Sequence, residues 1–188
     1  MLVLASQSPR RSEILAQAGL PFTVRVSGVE EIRQPAESPE DYVRRLAQDK
    51  ARAAVSSPAE FVLAADTVVV VDGSVLEKPV SSSDAEAMLR RLSGRSHAVL
   101  TGVCLLHDGV ERAQVESTRV FFSSLSEDEI RDYCASGEPM DKAGAYAIQG
   151  LASKFIQRIE GCYFNVVGLP ISLVYRLLQD AGYSFNAG

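Results

Sequence analysis

Along the chain, apolar and β-branched runs alternate with stretches whose apolar residues recur every three or four positions. This is the pattern of strands alternating with amphipathic helices in an α/β or mixed α+β protein. Residues 1–5 form a short apolar run that reads as a buried strand. Ser8 and Pro9 then supply an N-cap and a first-turn proline for a helix running to Ala18, with Gly19 as its stop. Ser38-Pro39-Glu40-Asp41 repeats the start signal and opens a long helix reaching about Val55. Ser83-Asp-Ala-Glu86 and Ser126-Glu-Asp-Glu129 are capping boxes, each beginning a helix of about ten residues. Strands are expected at 61–71, 98–106 and 114–122, the last two joined as a hairpin through His107-Asp108-Gly109. Further strands are expected at 143–148 and 155–159, followed by Gly168-Leu169-Pro170 and an amphipathic helix to Ala181. Leu173, Val174, Leu177 and Leu178 share one side of that helix and read as core packing in preference to a dimer interface. No linker, repeat or low-complexity stretch interrupts the order, which predicts one α/β domain over 1–188 with a mixed central sheet flanked by helices.

Composition narrows the class. Hydrophobic residues make up 46% and charged residues 23% of the 188, the range of a globular chain long enough to bury a core without staples. The longest apolar runs are about five residues, against the ~18 needed to span a bilayer. No basic segment precedes the first apolar run, which argues against a secretory signal. A net charge of −5 gives no global field toward nucleic acid or acidic membrane, so neither is expected as a partner, and an anionic substrate requires locally clustered cations. Cys104, Cys134 and Cys162 are odd in number, widely spaced and lack a C-x-x-C pair, so the simplest setting is reduced and cytosolic.

Several residues break the pattern. Asp66 lies between Phe61-Val-Leu-Ala-Ala65 and Val68-Val-Val-Val71, in what otherwise reads as a doubly buried strand. It is either a general base or metal ligand in a cleft, or a strand-end aspartate capping a turn. Lys50 falls on the apolar stripe of Val43, Leu46, Ala47 and Ala54, where it either meets an anion or snorkels to water. Ser6-Gln-Ser-Pro-Arg-Arg11 follows a strand and opens a helix, so hydroxyls, free amides and two guanidinium groups converge at a positive helix end. That is either a phosphate cradle or an ordinary capped helix. Lys50, Lys78 and Lys142 are further cations for phosphate. Glu30-Glu31 is a loop pair suited to a hard divalent cation or simply solvated. His97 and His107 form no triad. Gly137-Glu-Pro-Met-Asp141 reads as turn chemistry, and Gly144 and Gly150 offer close backbone approach to a ligand.

Taken in order, Leu4-Ala-Ser-Gln-Ser-Pro-Arg-Arg11, Ala65-Asp-Thr67, Glu77-Lys-Pro79, Met88-Leu-Arg-Arg-Leu-Ser-Gly-Arg95, Asp141-Lys-Ala-Gly-Ala-Tyr-Ala-Ile-Gln-Gly150 and Val166-Val-Gly-Leu-Pro170 closely resemble the Maf family. The resemblance implies a mixed α/β fold with a central cleft, similar to the inosine triphosphate pyrophosphatases. It implies hydrolysis of nucleoside triphosphates to monophosphate and pyrophosphate by a cytoplasmic, metal-dependent and often dimeric enzyme. The family branch acting on dTTP and UTP carries the residues found here as Arg10, Thr67 and Gln149, which would read the base. Asp66 would activate or position the attacking water. Ser6, Arg11, Lys50 and Lys78 would bind the triphosphate, and Glu30 with Asp66 would hold Mg²⁺ or Mn²⁺. The rival reading is a non-catalytic nucleotide-binding regulator of cell division, suggested by the family's association with septum formation.

Overall fold

The computed structural model describes residues 1–185; the last three residues of the expected 1–188 span lie outside the described residues. In chain order the elements are β1 (Leu2–Leu4), α1 (Pro9–Gln17), β2 (Phe22–Val24), α2 (Pro39–Ala54), β3 (Phe61–Val71), β4 (Ser74–Leu76) and α3 (Ser82–Leu92). There follow β5 (Ser96–His107), β6 (Val110–Phe122), α4 (Glu127–Ala135), β7 (Ile156–Glu160), α5 (Tyr163–Val167) and α6 (Ile171–Asp180). Short 3₁₀ turns occupy Glu138–Asp141, Ala143–Ala145 and Leu151–Phe155. The sheet runs β2-β1-β3-β5-β6-β7, with β4 added to β3. It is mixed, as expected: β1 is parallel to β2 and β3, whereas the β3–β4 and β6–β7 pairs are antiparallel.

Local signals explain most of these boundaries. Ser38 Oγ accepts from the Asp41 amide, and Ser126 with Glu129 makes a complete capping box. The box expected at Ser83 sits two residues earlier, where Ser81 Oγ accepts from the Asp84 amide. Asp108 and Gly109 both have positive φ and close the β5–β6 hairpin in two residues. Asp72-Gly73 repeats that turn between β3 and β4. The stretch 143–148 is not the expected strand, because Gly144 and Ala145 take left-handed backbone conformations that no strand accommodates. β2, β4 and α5 are too short, at three to five residues, to show a period.

The described residues form two compact units, 1–66 with 101–116 and 168–185, and 67–100 with 117–167. Three of the four boundaries fall inside β3, β5 and β6, and the fourth falls in the short turn between α5 and α6. In the first unit α2 lays Ala47, Ala51 and Ala54 against Val3, Ala5, Val62, Ala64, Cys104 and Leu106. Small side chains bring the helix close to the sheet. Gly102 of β5 takes this furthest: a Cβ there would lie 2.2 Å from the Val43 carbonyl oxygen. The apolar stripe of α6, Leu173, Val174, Leu177 and Leu178, is buried within the chain, so it is core. No described helix is long and apolar enough to cross a membrane.

The second unit packs α3 and α4 with β3, β5, β6 and the turns after α4 around Val69, Leu89, Leu92, Phe122, Ile130 and Phe155. Inside it His97, 3% exposed, shares a 2.7 Å hydrogen bond between Nε2 and the Tyr146 hydroxyl and stacks edge-on with Phe122 and Tyr146. Burial pushes the His97 pKa down to about 4.

Two outcomes are expected. Gly102→Ala forces α2 off the sheet and lowers stability by about 1–3 kcal/mol in urea unfolding. As pH falls from the ordinary histidine value of 6.5 toward 4, the unfolded chain binds a proton at residue 97 that the folded chain refuses. This contribution is therefore complete above pH 6.5 and lost as pH falls, by up to about 3 kcal/mol at about 1.4 kcal/mol per pH unit. His97→Phe removes it, so the stability gap between wild type and variant narrows on acidification.

Candidate active site

In β3 the side chains alternate between sheet faces, so Asp66 shares the face of Val62 and Ala64, which packs on α2. Lys50 follows Val43 by two helical turns and shares its stripe. The two apolar patterns therefore bring one carboxylate and one ammonium together at a core position. Asp66 is 5% and Lys50 7% exposed, and Lys50 Nζ donates to Asp66 Oδ1 at 2.6 Å. The same Nζ donates to Glu31 Oε1 at 2.5 Å. Lys50 thus meets anions and does not snorkel.

Glu31 is held from the helix. The Tyr42 hydroxyl donates to the Glu31 carbonyl, Arg45 donates to the Ile32 carbonyl, and Arg45 also grips Glu37 with two nitrogens at 2.6 and 2.8 Å. Glu37 raises the pKa of Arg45, and Arg45 lowers that of Glu37. Glu30 is exposed and lies outside the cluster; the carboxylate brought to Lys50 is that of Glu31. The adjacent pair was visible in the sequence, and both residues are exposed, but which member reaches Lys50 depends on the tethers from Tyr42 and Arg45.

Arg11 supplies a third anchor. Its Nε donates to the Gly168 carbonyl at 2.8 Å, and one terminal nitrogen donates to Ser6 Oγ at 3.0 Å and to the Ala65 carbonyl at 2.8 Å. Ser6 Oγ in turn accepts from the Ser8 amide. One guanidinium therefore joins the end of β1, the residue before Asp66 and the turn before α6. Arg10 is half-buried on the same first turn of α1.

Burial pushes the Asp66 carboxyl above its usual range; Lys50 and then Arg11 pull it back without cancelling the effect, and Glu31 adds to it. A carboxylate held this way is suited to accept a proton or to ligate a cation. Asp66 and Glu31 are the carboxylates that could hold a divalent ion, and their oxygen donors suit Mg²⁺ or Mn²⁺. No group of three or more His, Cys, Asp or Glu gathers among the described residues. Two carboxylates leave the remaining positions to water and phosphate oxygens, a pattern common for Mg²⁺. The residues thus fit the ion implied by the resemblance.

The remaining candidates lie in the second unit. Thr67 is half-buried in β3, Lys78 is exposed just after β4, and Gln149 is exposed in the turn after Tyr146. Neither Lys78 nor Gln149 makes a hydrogen bond or ion pair among the described residues. The Gly144 amide donates to the Glu77 carbonyl at 3.1 Å, which ties the segment bearing Gln149 to the one bearing Lys78.

A family model described as Maf-like protein matches residues 1–181. The chain belongs to the Maf family. Members similar to it over nearly their whole length include proteins of Koribacter versatilis, 54% identical over 96% of this chain and 94% of the relative, and of Symbiobacterium thermophilum, 53% identical over 100% and 97%. A Vibrio cholerae relative is 52% identical over 95% of this chain and 96% of its own. All three carry the name dTTP/UTP pyrophosphatase. Among solved structures, a HAM1 protein from Coxiella burnetii aligns over 96% of this chain and 98% of its own at 16% identity and TM-score 0.49.

In this Maf chain, Arg11 has a checkable structural share. Lysine cannot span the three acceptors that the planar fork reaches, so Arg11→Lys is expected to lower stability by about 2–3 kcal/mol in denaturant unfolding.

Proposed function

We propose that this chain hydrolyses dTTP and UTP to the nucleoside monophosphate and pyrophosphate. The carrying observation is its full-length similarity, at 50–54% identity, to relatives named for that reaction. The buried Asp66 and its cation are the chemistry the reaction requires. In this reading Asp66 accepts a proton from the water that attacks the α-phosphorus, and its raised pKa moves it toward the working pH of a general base. Lys50, bound between two carboxylates, turns its positive charge toward the phosphates as they arrive. The amides at the start of α1 and the Ser6 hydroxyl face the positive end of the helix dipole and favour a phosphate there. Arg11 adds charge while holding the backbone beside Asp66, and Lys78 is a further triphosphate contact.

A divalent ion, Mg²⁺ or Mn²⁺, held by Asp66 and Glu31, would neutralise charge on the leaving pyrophosphate. Arg10, Thr67 and Gln149 would read the base; the amide of Gln149 offers both a donor and an acceptor, as the edge of uracil or thymine requires. The reading includes a cytoplasmic setting, in keeping with three unpaired cysteines, and leaves a homodimer to be measured by light scattering.

The test is to incubate the purified chain with the common nucleoside triphosphates, with Mg²⁺ or chelator, and to resolve the products. UMP or dTMP with pyrophosphate, formed only with metal, is expected. A diphosphate with inorganic phosphate would mean a different bond is cut. A melting temperature raised by UTP without turnover would instead favour the regulatory reading. Asp66→Asn keeps the shape of the side chain but removes its basicity, so kcat should fall by about 10²–10⁴-fold while circular dichroism stays that of wild type.

A further inference from the structure

Gly150 was expected to let backbone approach a ligand, but its open side is filled from within the chain. A Cβ on Gly150 would lie 2.3 Å from Glu138 Oε1 and 2.4 Å from Oε2. The Glu138 carboxylate accepts from the Tyr133 hydroxyl at 2.9 Å through Oε1 and from the Leu151 amide at 3.0 Å through Oε2. The Glu138 carbonyl accepts from Lys142 Nζ at 2.8 Å. Tyr133 is buried in the core of the second unit, so the carboxylate is braced from below. Burial and the neighbouring carboxylate push the Tyr133 hydroxyl above its usual pKa, which keeps it a donor.

The segment between is pinned at both ends. Tyr146 is held by His97 and Leu151 by Glu138, and the Gly150 amide closes the turn onto the Ala147 carbonyl at 3.2 Å. Gln149 projects, exposed, from that turn. We propose that Glu138, braced by Tyr133, is a positioning residue that fixes the 147–151 turn and thereby aims Gln149 at the substrate base. This rests on the reading that Gln149 contacts the base. Glu138 itself touches no substrate; its effect is to spare the turn the ordering that base recognition would otherwise require.

Glu138→Ala releases the Leu151 amide, so hydrogen exchange in peptides covering 147–152 should accelerate. KM for UTP should rise about tenfold, and the preference for UTP over CTP should narrow similarly, with kcat within about threefold of wild type. Glu138→Gln should restore both, since its amide oxygen can accept from Leu151 while its nitrogen donates to the Tyr133 oxygen. Gly150 has an extended backbone that alanine adopts freely, so Gly150→Ala acts only through the carboxylate. It should mimic Glu138→Ala alone and add nothing in the Glu138→Ala background. Unchanged exchange in Glu138→Ala overturns the proposal. So does an unchanged KM in Glu138→Ala when Gln149→Ala raises it. If Gln149→Ala itself leaves KM and base preference unchanged, the base reading fails and the aiming role fails with it, whatever the exchange shows.

Discussion

Two carboxylates share one ammonium at the heart of the first unit, and much of that unit is arranged around the difficulty of keeping them there. A buried charge left without its partner costs several kcal/mol, so Asp66 and Lys50 are tenable only together and only at hydrogen-bonding distance. That distance requires α2 to lie close on the sheet. Ala47, Ala51 and Ala54 make the approach on the helix side, and Ala64 and Gly102 on the strand side. Larger residues would hold the helix off and separate the charges. Arg11 then locks the backbone at Ala65, immediately before the carboxylate, and Tyr42 and Arg45 hold the Glu31 loop down onto the helix that carries Lys50.

The second unit solves a different problem. Its core is apolar and aromatic, and its polar contacts serve backbone geometry. His97 Nε2 and the Tyr146 hydroxyl share a hydrogen bond inside the core, while Glu138 takes a backbone amide at the far end of the same segment. A stretch with two left-handed residues and little regular hydrogen bonding would otherwise wander. In the function proposed above, charged groups in the first unit serve the chemistry. In the second Glu138 and Lys142 act as fasteners for backbone turns, while Gln149 and Lys78 are exposed.

Much of this was legible in the chain. Helical periods or continuous apolar and β-branched runs marked every element longer than about eight residues, because a helix buries one face and the central strands β3 and β5 bury both. The same logic exposed Asp66 and Lys50 as charges standing at core positions. β2, β4 and α5, at three to five residues, establish no period, and unlike the equally short β1 they lie in no continuous apolar run. The segment at 143–148 looked strand-like in composition, yet Gly144 and Ala145 turn it through left-handed backbone.

The sequence by itself determined the mixed α/β class and the family, and marked Asp66 and Lys50 as charges at apolar positions, since each follows from residue order and local period. Tertiary structure alone decided that Lys50 bridges Asp66 and Glu31, that Glu31 and not Glu30 meets the Lys50 ammonium, and that Glu138 fills the space beside Gly150. These contacts join residues from 12 to 19 positions apart, across loops whose path no local period records. Which side chain of a neighbouring pair reaches a distant partner is settled by the hydroxyl, guanidinium or ammonium waiting there, and those partners are placed only once the helices and strands have packed.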